Sequence, residues 1–209
     1  MCGGVRFLLG RSQKGGFQTA KVRIEYVDLS HMNDREEFVI LVNANDEPQG
    51  LMGKILAHSN GSLHRAFSVF LFNDQGETLL QQRAKGKYHS PLLWTNSCCS
   101  HPREGETVLE AAGRRLGEEL GIDANDVHGL KKLFHFQYHA SFDNGLVEHE
   151  LDHVLMANFQ GETPFNSDEV HAIAWRSIRD IQGDMAANPS HFTAWFQIIF
   201  KQYLNHLTA

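Results

Sequence analysis

Ser100-His101-Pro102-Arg103-Glu104-Gly105-Glu106-Thr107-Val108-Leu109-Glu110-Ala111-Ala112-Gly113-Arg114-Arg115-Leu116-Gly117-Glu118-Glu119-Leu120-Gly121 reads as a loop, a helix and a stop, in that order. Thr107 and Glu110 have the spacing of a capping box, in which each satisfies a free backbone N–H at the helix start. Gly121 suits the left-handed position just past a helix end. Between them Val108, Leu109, Ala112, Leu116 and Leu120 recur at three- and four-residue intervals, so one stripe faces a core. The helix is therefore predicted over 107–120. Arg114–Glu118 and Arg115–Glu119 are one turn apart, and as plain surface pairs each is worth about 0.2–0.5 kcal/mol.

The same stretch carries a second pattern. The spacing from Ser100 through Glu106 to Arg114 and Glu118-Glu119-x-Gly121 resembles the Nudix box, a loop–helix–loop that presents glutamates to a metal-bound diphosphate. Two positions depart from it: Ser100 stands for the first Gly, and Arg115 for the Glu after Arg. Hydrolysis of this type needs several carboxylates to hold metals and activate water, and Arg115 puts a cation where one would stand.

Working outward, the chain has 209 residues, enough for one domain with a substantial core. Hydrophobic residues at 42% and charged residues at 21% fit a water-soluble globular protein. A formal charge of −6 and no dense Lys/Arg cluster argue against a nucleic-acid partner. No apolar run has the length of a membrane span. Cys2, Cys98 and Cys99 make no disulfide framework, which points to a reducing compartment, the cytoplasm.

Residues 1–36 differ from the rest: the first 24 hold five basic residues and no acid, and Phe7-Leu8-Leu9 is too short for a secretory apolar region. A poorly structured tail, a start-site extension with Met32 as the working start, or an organelle transit peptide all fit. The folded domain is expected over 37–209.

Within it, 38–43, 66–72, 78–83, 133–141, 147–158 and 171–175 read as strands, with turns at 45–50 and 73–76. Helices are predicted at 178–187 and 192–207. These elements predict an α+β, α/β/α sandwich: a mixed sheet with flanking helices.

The chemistry-bearing residues fall into five sets. His58, His64 and His101, with Glu148 and Glu150 two apart on one strand face, suit a six-coordinate divalent ion such as Mn²⁺, Fe²⁺ or Zn²⁺. Asp152 continues that face as a competing ligand, whereas His149 and His153 point away. Cys99 lies among Asn96, Ser97 and Ser100, and a thiol can act as acid or base near neutral pH. Cys98 must face the opposite way. Lys54, Arg83, Lys87 and Arg115 come from four segments; converging, they make a diphosphate clamp. Trp195 reads as core, and the Tyr138 hydroxyl can orient a carboxylate.

Taken together, Leu63–Asn73, Trp94–Pro102, Arg114-Arg115 with Glu119-Leu120-Gly121, and Glu148-His149-Glu150 resemble the type I isopentenyl-diphosphate delta-isomerases, from about Phe38 to Phe200. Phe192-Thr193-Ala194-Trp195 adds a fifth segment, with Ala194 where the family usually has Pro. The resemblance implies an isomerase interconverting isopentenyl and dimethylallyl diphosphate through a carbocation. It implies Cys99 and Glu150 as the acid/base pair, with Tyr138 assisting Glu150. His58, His64, His101, Glu148 and Glu150 would bind Mn²⁺ or Zn²⁺. Glu119 and the Cys99 carbonyl would hold a Mg²⁺ bridging the diphosphate. Lys54, Arg83, Lys87 and Arg115 would grip the diphosphate, and Trp195 would face the reacting carbons. The expected partner is a small allylic or homoallylic diphosphate, and the expected state is a monomer. The rival readings are a Nudix hydrolase of a nucleoside diphosphate derivative and a non-catalytic metal- or diphosphate-binding module.

Overall fold

In the computed structural model the described residues are Gly3–Phe7, Ile24–Asp28 and 37–207. The chain divides into two compact units at Glu36/Glu37. In the first, β1 (Gly3–Phe7) and β2 (Ile24–Asp28) pair antiparallel. The other expectations for 1–36 lie outside the described residues.

The second unit is built on a mixed sheet of nine strands. Its central path runs β11 (Val170–Ser177), β6 (Glu77–Arg83), β5 (His64–Phe72), β10 (Val147–Phe159), β9 (Val127–Ser141). β5 and β10 are parallel, and the other pairs are antiparallel. Short strands β3 (Phe38–Val42), β4 (Pro48–Gly53), β7 (Trp94–Thr95) and β8 (Cys98–Ser100) attach at its margins.

β5 shows why two layers of helix are needed. Phe67, Val69 and Leu71 join a cluster with Ala112, Leu116 and Leu120 of helix α2 (Val108–Leu120). Phe70 and Phe72, pointing to the other face, pack with Ile181, Trp195, Phe196 and Ile199. Those come from α3 (Ile178–Ala187) and α4 (Ala194–Gln202). A strand buried on both faces in this way is what a near-continuous apolar run encodes.

The α2 boundaries follow the expected chemistry. Thr107 Oγ1 accepts from the Glu110 N–H at 3.2 Å, and Glu110 Oε2 accepts from the Thr107 N–H at 2.8 Å. Gly121 has φ 66°, and a Cβ there would sit 2.8 Å from the Pro164 carbonyl oxygen.

Four readings change. The turn expected at 45–50 lies at its first residues only, and Pro48–Gly53 forms β4 against β3. Residues 54–60 form an additional helix, α1 (Lys54–Asn60), ended by Gly61 at φ 62°; its roughly two turns are too short for a periodic signal. β9 begins six residues before the expected 133, in a stretch whose side chains are largely exposed. The helix expected over 192–207 starts at Ala194 and breaks at Tyr203 before α5 (Leu204–Leu207). Tyr203 instead stacks on Phe134 at 4.8 Å, a tertiary contact that helix periodicity cannot show.

Candidate active site

Strand register brings the acids and imidazoles together. Glu150 is paired with His64 across β10–β5 and with Tyr138 across β10–β9. The Tyr138 hydroxyl lies 2.7 Å from Glu150 Oε2 and 3.0 Å from Glu148 Oε2. His101, just past β8, sets its Nε2 3.1 Å from Glu150 Oε1. Helix α1 supplies His58, whose ring centroid is 4.8 Å from that of His64.

The tautomers suit a metal. His58 Nδ1–H donates to the Lys54 carbonyl at 2.7 Å and His64 Nδ1–H to the Ser62 carbonyl at 2.8 Å. Each Nε2 therefore carries a lone pair, and both are buried without a hydrogen-bond partner. Donor atoms of His58, His64, His101 and Glu150 lie within 4.8 Å of one another. Burial lowers His58, and it holds His101 down at about 3 against the raising effect of Glu150, so these rings are neutral at pH 7, the form able to bind a metal. Burial and the Glu150 charge push Glu148 well up; His101 and His64 outweigh burial at Glu150 and hold it well down. This donor set fits a divalent ion.

Glu148 falls with a different pair. His58, His89 and Glu148 form a second donor group, with His89 Nε2 3.2 Å from Glu148 Oε1. His89 was not anticipated from the sequence. Its neighbour Lys87 was the only signal nearby. Asp152, the competing ligand, joins neither group. Its Oδ2 accepts from Ser68 Oγ at 2.8 Å, and burial raises it to about 8. His149 and His153 turn away, toward the Gly61 carbonyl and Asp46.

The two cysteines face opposite layers, as β8 pairs with β5 through Ser68–Cys99 and Val69–Cys98. Cys98 is fully buried beneath α2. Cys99 lines a cavity together with Tyr138, Glu148, Glu150 and Trp195. Burial and the charges of Glu119, Glu148 and Glu150 push its thiol up to about 12, against the lowering pull of Arg83. The thiol thus holds its proton while Glu150 is ionised. The polar Asn96 and Ser97 beside it are structural. Asn96 Nδ2 donates to the Val69 and Cys98 carbonyls, and its Oδ1 accepts from Trp195 Nε1 at 3.1 Å. Ser97 Oγ donates to the Leu79 carbonyl at 2.7 Å.

Lys54, Arg83, Lys87 and Arg115 line the same cavity. Arg83 is 7% exposed, its Cζ sits 5.4 Å over the Trp195 ring, and its Nε–H is buried with no partner among the described residues. Such a group is expected to meet an anion. Arg115 corrects the plain surface-pair reading: its side chain is 12% exposed, and it reaches Glu119 at 2.5 Å, Glu118 at 2.8 Å and Glu169 at 3.3 Å. Glu119 is buried, pairs with Arg115 and accepts from Gln81 Nε2 at 2.9 Å.

A mixed sheet covered by helices on both faces and carrying this loop–helix–loop defines the class: the NUDIX domain family matches residues 62–196. A Deinococcus radiodurans crystal structure matches with TM-score 0.64 and 20% identity, over 80% of this chain and 99% of that one, which speaks to fold alone. Sequence similarity is closer. An isopentenyl-diphosphate Delta-isomerase of Serratia proteamaculans is 46% identical over 166 residues, 79% of this chain and 90% of that protein. One from Pectobacterium atrosepticum is 48% identical over 164 residues, 78% and 89% respectively. The chain belongs to the isopentenyl-diphosphate Delta-isomerase family.

Proposed function

We propose that this enzyme interconverts isopentenyl diphosphate and dimethylallyl diphosphate for isoprenoid biosynthesis, with Cys99 and Glu150 as its proton-transfer groups. The observation that carries the reading is that Cys99, Glu150 and Trp195 line one cavity with four cations. In the forward direction a proton is added at the terminal CH2 carbon and its π electrons form the new C–H bond. The resulting tertiary cation loses a proton from C2, and those electrons make the internal double bond. No atom is gained or lost. One group must give a proton and the other take one. A protonated thiol and an ionised carboxylate meet that need, with Tyr138 hydrogen-bonded to the carboxylate.

The cation needs a dry, electron-rich wall. The Trp195 ring offers one, worth about 2 kcal/mol or more when desolvated. Its N–H is tied to Asn96, which fixes the ring plane. Lys54, Arg83, Lys87 and Arg115 hold the diphosphate away from the reacting carbons. Arg115 in place of a water-activating glutamate favours retention of the diphosphate over its hydrolysis. His58, His64, His101, Glu148 and Glu150 would hold Mn²⁺ or Zn²⁺, which supplies charge neutralisation and acidity at Glu150. Glu119 and the Cys99 carbonyl would hold a Mg²⁺ with the diphosphate. Residues 37–209 are taken as the isomerase domain, working as a cytoplasmic monomer. In support, Cys98 and Cys99 are free thiols, and among the described residues no helix is long and apolar enough to cross a membrane.

Proton NMR of isopentenyl diphosphate incubated with the enzyme, Mg²⁺ and Mn²⁺ tests this. Dimethylallyl diphosphate is the expected product. Isopentenyl monophosphate or isopentenol would favour the hydrolase, and an unchanged substrate would leave only a binding module.

A further inference from the structure

Glu169 stands outside every role assigned so far. It ends the turn Asn166–Glu169, whose Asn166 N–H donates to the Glu119 carbonyl at 2.9 Å. The Glu169 carbonyl accepts from the Ala84 N–H at 3.0 Å, next to Arg83. Its backbone is thus tied to the end of α2 and to the end of β6, the two elements that carry clamp arginines. Its carboxylate contacts Lys87 Nζ and lies 3.3 Å from Arg115 Nη2. Lys87 and Arg115 line the cavity, and Glu169 bridges the two, bracing one against the other. Burial opposes its charge, but Lys87, Arg115 and Lys54 outweigh burial and keep it ionised.

The geometry points to Glu169 as the residue that makes the clamp select magnesium-complexed diphosphate over the free anion. The inference rests on the diphosphate reading of the cavity. Lys87 and Arg115 face three carboxylates, Glu118, Glu119 and Glu169, so their charge is already offset before a ligand arrives. A free diphosphate, with three or more negative charges, meets that offset directly. The magnesium complex carries two fewer charges and meets far less repulsion. Bracing also orders two long side chains, but losing that order costs less than one full charge gains at these separations.

The experiment is calorimetric titration of the full chain with inorganic diphosphate, with and without Mg²⁺, using Glu169→Gln. The variant should bind the free anion roughly tenfold more tightly and the magnesium complex within about threefold of wild type. Glu162→Gln, which removes an exposed acid elsewhere, should change neither affinity. Equal weakening of both forms in Glu169→Gln would mean a structural brace only, and would overturn the inference. So would the same tightening in Glu162→Gln. If the wild type binds neither form, the diphosphate reading itself fails, and the inference with it.

Discussion

At the scale of single residues, the sharpest contrast is between two neighbouring thiols. Cys99 faces the cavity and Cys98 the apolar layer under α2, because adjacent residues of a strand point to opposite sides. Cys99→Ser and Glu150→Gln should each lower turnover by about 100-fold or more with an unchanged circular dichroism spectrum. Turnover near that of the wild type in either variant removes that residue from proton transfer. Cys98→Ser should behave in the opposite way: it keeps its turnover but loses about 1–3 kcal/mol of stability, by placing a hydroxyl in an apolar cluster. Activity and urea denaturation measured on the same preparations separate the two.

At the scale of elements, α2 is held at both ends by local chemistry, and the two ends differ in strength. Thr107→Ala removes the capping box and should cost about 1 kcal/mol. Gly121→Ala meets two obstacles, a left-handed backbone and a Cβ 2.8 Å from the Pro164 oxygen, and should cost roughly 2–4 kcal/mol. Urea midpoints at constant m-value check the order. A Thr107 variant less stable than the Gly121 variant would mean that Pro164 yields readily to the added Cβ. Since α2 presents Arg115 and Glu119, the Gly121 variant should also weaken binding of diphosphate.

At the scale of the whole molecule, buried titratable groups link stability to pH. Burial depresses His58, His89, His101 and His153, with His89 at about 2, His101 at about 3 and His153 at about 4. Between pH about 6.5 and 4 the unfolded chain takes up protons at all four, and burial makes the folded chain resist them. Asp152, raised to about 8, and Glu148, also raised, act in the opposite sense, as the folded state holds their protons. Four sites against two leave the unfolded state with more protons. Metal-free protein should therefore lose stability steadily as pH falls from about 6.5 toward 4. Urea midpoints in a chelating buffer across that range test the sign, and a midpoint that rises on acidification would contradict it. Added Mn²⁺ should raise the midpoint more at pH 7.5 than at pH 6, since ligands must shed protons to bind.

The sequence by itself determined the buried strands, the caps of α2 and the pairing of Glu148 with Glu150 on one face. Those depend on period, on local hydrogen bonds and on alternation, all of which act within a few residues. It also carried the family resemblance, because the motif segments are each contiguous. Only the tertiary structure decided the rest. Helix α1 is set by Gly61 and by packing, and it turns His58 toward His64. His89 reaches Glu148 from a loop that has no regular pattern of its own. Asp152 goes to Ser68 across the parallel β5–β10 pair, and not to the imidazoles. Arg115 becomes the centre of a partly buried three-way ion network only when Glu169 arrives from 54 residues away. Each of these depends on which strand lies beside which, and contacts between distant segments leave no mark on local spacing.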